Sequence, residues 1–224
     1  MDITWLGQGG LLFNHKGINI MIDPYFSDSV KKVNPKNYRR VPVREELFDI
    51  KPDIMIFTHC HLDHYDPETV EKFITADTDM TVLAPSSVWG DVRKIGGDNN
   101  FVQFDYGTTW TQHGIKFTAV KAQHSDVSAI GVLIDDGEKV YYVTGDTLYN
   151  KRIFDDIPDN VYAVFLPVNG VGNNMNMEDA KSFAERINPK VAVPMHCGMF
   201  DSIDLNSFGY EKKVVPVIYE RIDV

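Results

Sequence analysis

The chain has 224 residues, with 22 Lys and Arg against 32 Asp and Glu, a formal net charge of −10 and 43% hydrophobic residues. That length suits one domain with a full core, and the acidic balance removes the general attraction to phosphate backbones that nucleic-acid binders use. No apolar stretch approaches the ~20 residues of a membrane span, and Met1-Asp2-Ile3-Thr4-Trp5 lacks the basic and apolar regions of a secretory leader. The expectation is therefore one domain over 1–224 in the cytoplasm, taking a small-molecule substrate. Neither nucleic acid nor membrane is expected as a partner, and a homo-oligomer is left open.

Asp2 to Leu6, Leu11 to Asn14 and Ile18 to Ile22 read as strands, the last two joined by a His15-Lys16-Gly17 turn in which His15 has only a turn role. The stretch from Asp23 to Arg44 is polar and irregular, and loops of that length are often functional. Asp53 to Phe57 reads as a buried strand. Asp66 then offers an N-cap with Pro67 at the first helical position, so a helix should run to about Thr75. A strand at Thr81 to Leu83 and a helix from Ser86 follow. Consecutive strands come next, at Thr108 to Gln112, Ile115 to Val120, Ala129 to Ile134 and Lys139 to Val143, with turns at His113-Gly114 and Gly137. Tyr162 to Leu166 is a strand, Met177 to Ile187 a helix capped by Asn176, and Lys190 to Pro194 a strand. Strand runs with helices in each half, and no regular βαβ alternation, suggest an α/β protein of two mixed sheets packed face to face under helices.

The buried strand at Asp53 to Phe57 ends in Thr58-His59-Cys60-His61-Leu62-Asp63-His64-Tyr65-Asp66. Three histidines and an aspartate within six positions are hard to explain by packing, because His and Asp are costly to bury without partners. Imidazole nitrogen with carboxylate oxygen suits zinc or manganese, and iron is compatible. One cluster cannot complete two coordination spheres, and three further predicted strands end in a possible ligand each, at His124, Asp146 and His196. Cys60 and Cys197 each follow a histidine. Zinc accepts sulfur, but small buried packing residues is the expected role for both, and two cysteines make no disulfide framework. Asp126 is expected as a turn acceptor.

The His-x-His-x-Asp-His cluster followed in order by His124, Asp146 and His196 resembles the metallo-β-lactamase-fold hydrolase superfamily. Trp5-Leu6-Gly7-Gln8-Gly9-Gly10, Ile22-Asp23-Pro24 and Asp66 also match. Gly145-Asp146-Thr147-Leu148-Tyr149 and Pro194-Met195-His196-Cys197 are most similar to the branch that holds L-ascorbate-6-phosphate lactonase. The resemblance implies a four-layer αββα sandwich and two divalent metal ions per chain. His59, His61 and His124 would hold one ion, Asp63, His64 and His196 the other, and Asp146 would bridge them. Asp23 would orient the cluster from behind, and Asp66 would brace it while capping its helix.

Two cations roughly 3.5–4 Å apart can share a water, bring its pKa near neutrality and polarise the oxygen under attack. Asp63 or Asp146 could then pass the proton to the leaving group. The expected reaction is hydrolysis of a lactone or other cyclic ester of a small carbohydrate, with or without a phosphate. A phosphodiesterase on the same site is the alternative. An iron oxidoreductase of the same fold is a more distant one, disfavoured in its flavodiiron form because His61 stands where that motif carries glutamate. Adjacent arginines on a loop are usually solvated, but an acidic protein binding a phosphorylated substrate needs local positive charge. Arg39 and Arg40 are therefore candidate substrate contacts, together with Asn169, which opens the Gly170-Val171-Gly172-Asn173-Asn174 run before a helix N-terminus.

Overall fold

The computed structural model covers residues 1–224 and builds two sheets from the runs of β-branched and aromatic residues. The first contains β1 (Asp2–Gly7), β2 (Gly10–His15), β3 (Ile18–Ile22), β4 (Ile54–Ile56), β5 (Thr81–Ala84), β6 (Asn100–Gln103) and β13 (Arg221–Ile222), in the order β13-β1-β2-β3-β4-β5-β6. The second contains β7 (Thr109–Gln112), β8 (Ile115–Lys121), β9 (Ile130–Asp135), β10 (Val140–Val143), β11 (Val161–Pro167) and β12 (Val191–Met195), in the order β12-β11-β10-β9-β8-β7. Both sheets are mixed. Pairing is antiparallel from β13 through β3 and parallel from β3 to β6, and it is antiparallel from β7 through β10 and parallel from β10 to β12.

The period of two along each strand sorts its side chains between two apolar layers. In the first sheet Phe13, Ile20, Ile22, Ile54, Ile56 and Leu83 face the second sheet, where Phe13 meets the edges of Tyr141 and Phe165 at 5.9 and 5.7 Å between ring centroids. The alternate residues Met21, Met55, Val82 and Ala84 join another cluster with Val70 and Phe73 of α2 (Pro67–Phe73) and Val88 and Val92 of α3 (Ser86–Val92). Behind the second sheet, α4 (Met177–Ile187) buries Ala180, Phe183, Ala184 and Ile187 at helical spacing, with Phe183 against Tyr142. The layers are thus helix, sheet, sheet, helix, the expected four-layer arrangement. No helix is long and apolar enough to cross a membrane.

Four local expectations need correction. Between β4 and β6 the chain does alternate regularly, strand–α2–strand–α3–strand, because Asn100–Gln103 forms a parallel edge strand; with only Phe101 and Val102 apolar between polar ends, it is too short to stand out in the sequence. The short strand β13 was likewise invisible; its pairing of Ile222 with Ile3 is supplied by β1 and not by local pattern. The stretch from Asp23 to Arg44 contains one turn and a half of helix, α1 (Ser29–Val33). Finally α2 stops at Phe73, since Ile74 turns to extended backbone (φ −110, ψ 113). The two tight hairpins form as expected, with positive φ at Lys16-Gly17 and His113-Gly114.

Candidate metal centre

The residues following β4, β8, β10 and β12 meet at one edge of the sandwich, so both sheets contribute to one centre. Gly145 is required just before Asp146: its φ is +60, and a Cβ there would stand 2.8 Å from the Ile130 carbonyl oxygen. Gly9 closes the opposite wall, where a Cβ would lie 2.5 Å from Cε1 of His64.

Two triads face each other. In the first, His61 Nδ1 lies 3.1 Å from His59 Nε2 and 3.1 Å from His124 Nε2. In the second, His64 Nε2 and His196 Nε2 are 3.0 Å apart, and Asp63 Oδ2 lies 3.4 Å from His196 Nε2. Asp146 stands between them. Its Oδ1 is 3.2 and 3.0 Å from the Nε2 atoms of His64 and His196, and its Oδ2 is 4.0 Å from those of His59 and His124. Sets of donor atoms this close, with one carboxylate oxygen turned to each, could hold metal ions.

Two observations test whether these residues fit a metal. Asp146 Oδ1 is buried without a hydrogen-bond partner, a costly state for a carboxylate unless a cation completes it. The histidines also have partners for the ring nitrogen that faces away, as metal-ligating imidazoles do. His59 Nδ1 meets Thr58 Oγ1 at 3.0 Å, His64 Nδ1 meets Asp23 Oδ2 at 2.7 Å, and His124 Nδ1 meets the Asn173 carbonyl at 3.2 Å. His61 Nε2 is 3.4 Å from Ser125 Oγ, and His196 Nδ1 is 3.0 Å from the Asn169 carboxamide. Asp23 also accepts from the Thr58 amide and hydroxyl, so it links the backs of both triads. This is the orienting position expected of it.

Charge follows the same division. Burial and the neighbouring His64 push the pKa of His59 well below the ordinary value, and burial lowers that of His124, which favours the neutral, ligating form of both. Burial also opposes charge on His64 and His196, but Asp146 and Asp63 overcome it and raise both, with Asp23 adding to the effect at His64. Burial works against ionised Asp63 and Asp146 too, yet the facing histidines hold both below the usual carboxylate range.

Over the centre lies a cavity of about 340 Å³ whose lining includes His61, Asp63, Asp146 and His196. Asn169, a candidate substrate contact, lines it, and its carboxamide also touches His196. A larger hollow of about 570 Å³, lined by Phe48, Asp53, Lys72 and Met80, includes no residue of either triad.

The arginines do not line the cavity. Arg39 donates Nη1 to the Tyr25 carbonyl, Nη2 to Tyr219 Oη and Nε to the Val41 carbonyl, so its fork ties the loop to the C-terminal segment. Arg40 donates to Ser202 Oγ and lies over the Tyr38 ring. Asp66 caps α2 through the Glu68 amide and accepts from Thr69 Oγ1, which itself receives the Phe26 amide; it braces the loop after Asp23 and not the histidines. Cys197 is buried, but Cys60 is exposed, contrary to expectation, because its backbone amide is anchored outward on Asp126. Asp126 is the expected turn acceptor, taking Ser128 N and Ser87 Oγ as well.

Three residues of the site escaped sequence reasoning. Gln8 donates to Asp63 Oδ2 at 2.9 Å, and buried Asn174 donates to Asp146 Oδ2 at 2.8 Å. Thr58 bridges His59 to Asp23. Only Thr58, adjacent to His59, carried a local signal.

Residues 18–197 match the Beta-lactamase superfamily domain family, and the chain belongs to that family. A UPF0173 metal-dependent hydrolase of Methanopyrus kandleri is 25% identical over 96% of this chain and 91% of its own length. Among solved structures, an isothiocyanate hydrolase from Delia radicum gut bacteria is similar with a TM-score of 0.78 at 19% identity, covering 100% of this chain and 99% of that one. A diiron β-hydroxylase from Streptomyces venezuelae, CmlA, gives 0.73 at 17%, covering 100% of this chain and 54% of that one. Those two likenesses concern the fold alone, and they show one scaffold carrying different reactions.

Proposed function

We propose that the chain is a two-metal hydrolase that opens a lactone or other cyclic ester of a small carbohydrate. The observation that carries this reading is the division of Asp146, one oxygen toward each triad. His59, His61 and His124 would hold one ion, Asp63, His64 and His196 the other. Zinc and manganese both suit nitrogen–oxygen donor sets of this kind. Two such cations supply Lewis acidity and lower the pKa of a water to near neutrality.

The remaining work falls to the chain. Gln8 fixes Asp63 through Oδ2, while Asp63 Oδ1 receives no hydrogen bond from the protein and its side chain is 19% exposed. That carboxylate is the better placed to take a proton and return it to the leaving oxygen; Asp146 has Oδ2 held by Asn174, has Oδ1 turned into the second triad, and is only 6% exposed. The cavity above the triads, about 340 Å³, is of a size for a small substrate.

A phosphodiesterase would use the same donors. It is the weaker reading because a phosphodiester carries a charge that a lactone lacks, and no Lys or Arg lines the cavity to share it. Elemental analysis of protein loaded with zinc or manganese tests the binuclear assignment, with two ions per chain expected and a ratio fixed near one under excess metal overturning it. Oxygen consumption by the iron-loaded protein would favour the oxidative chemistry instead.

A further inference from the structure

We infer that the substrate of this centre is a small, uncharged, hydroxyl-bearing ester, recognised by carboxamides and not by a charge clamp; the inference rests on the hydrolytic reading above. Arg and Lys are the side chains best suited to hold a substrate phosphate. None lines the cavity. Each guanidinium nitrogen of Arg39 already donates, to Tyr25, Tyr219 and Val41, and Arg40 donates to Ser202. Nearby Lys31 and Lys32 are paired with Asp28 and Glu68. At α4 the Glu178 and Asp179 amides are already taken by the helix's own cap, Asn176.

What the cavity presents instead is carboxamide. Gln8, Asn37, Asn169, Asn173 and Asn174 all line it. Gln8 and Asn174 are committed to Asp63 and Asp146, and Asn169 to His196. The other two are free: the hydrogen bonds of Asn37 and Asn173 run through backbone atoms, Asn37 N to Asn34 O and Asn173 O to His124 Nδ1. A carboxamide offers both donors and an acceptor, which matches a hydroxyl that must give one bond and take another. Val30, Val171 and Phe200 complete the lining with apolar surface, suited to the carbon face of a ring. A volume of about 340 Å³ limits the ligand to a small molecule.

The test compares D-glucono-1,5-lactone with its 6-phosphate on zinc-loaded protein, with rates taken above spontaneous opening. The expected kcat/KM favours the uncharged lactone by tenfold or more. Asn37→Leu and Asn173→Gly should each raise KM for it about two- to tenfold, the loss of one neutral hydrogen bond, with kcat and metal content held. Asn173→Gly suits that site because φ there is +62. Arg40→Ala should alter neither substrate. A ratio below tenfold, a preference for the phosphate, or a phosphate-selective loss in Arg40→Ala overturns the inference. If neither lactone is turned over, the hydrolytic reading fails on this class by itself, and calorimetric titration of both compounds decides the inference. Tighter binding of the uncharged form then supports it; tighter binding of the phosphate, or no heat from either, overturns it.

Discussion

Asp23→Asn removes one charge from behind the metal centre without changing the size of the side chain. Asp23 sits at φ +44, a backbone state that Asn tolerates about as well as Asp, whereas Ala would add strain. Its carboxylate accepts from Thr58 N at 2.8 Å on one oxygen, and from Thr58 Oγ1 and His64 Nδ1 on the other. An amide has one oxygen, so at least one of the three donors must then face an NH₂ group. Losing a hydrogen bond to a charged acceptor costs about 1.5–3 kcal/mol, and the bonds that survive lose their charge assistance. Since one 1.4 kcal/mol step is a factor of ten, metal affinity should fall by about 10- to 100-fold with every proposed ligand still in place. Competition with a chromogenic chelator reads that change, and thermal unfolding of the metal-free variant checks that the fold persists. Affinity within twofold of the parent would refute the role given to Asp23.

Replacing Asp146 with Ala should abolish hydrolysis and weaken binding of at least one metal, while His113→Ala, in the β7–β8 hairpin, should do neither; loss of activity in the second with retention in the first would show the wrong ligand set. Phe13→Ala should cost about 3–5 kcal/mol in chemical denaturation, because Phe13 is fully buried between the sheets against Tyr141 and Phe165; a loss under about 1 kcal/mol, below that range, would contradict the packing. His64 and His196 have raised folded pKa values, so in metal-free protein the stability their protons contribute is complete below the unfolded value of about 6.5 and is lost as pH rises through the folded values. Metal must displace those protons, so affinity should rise with pH, and calorimetry in two buffers of different ionisation heat should detect proton release at neutral pH; release of none would refute this.

The residues that converge on the candidate centre were legible because His59, His61, Asp63 and His64 are crowded into one short segment and have no apolar excuse for being there. His124, Asp146 and His196 were legible through their order and their places after strands. The supporting residues were not. Gln8 and Asn174 reach the site by a turn with positive φ and by a Gly/Asn loop; both segments stood out in the sequence, but nothing local showed which carboxamide would reach Asp63 or Asp146. Arg39 was misjudged for a related reason. Its partners Tyr25 and Tyr219 lie 14 and 180 positions away, so a residue that looked free in the sequence is fully engaged in the fold. Strands were read well where both faces are apolar or alternate, and missed at β6 and β13, whose pairing comes from neighbours and not from their own composition.

The second triad joins His64 to His196 across 132 positions of chain. A cation held there is a reversible cross-link, and closing a loop of that length by a fixed link removes about 5 kcal/mol of disorder from the unfolded chain in the simplest entropic treatment. The link also comes late in synthesis, because β12 must pair before His196 reaches its place. Metal captured early at His59 and His61 would therefore leave the sandwich open, and only the completed chain would be locked. If the second triad holds its cation as proposed, a chelator or a metal-poor medium should shorten the protein's lifetime against proteases in proportion to the fraction left unlinked.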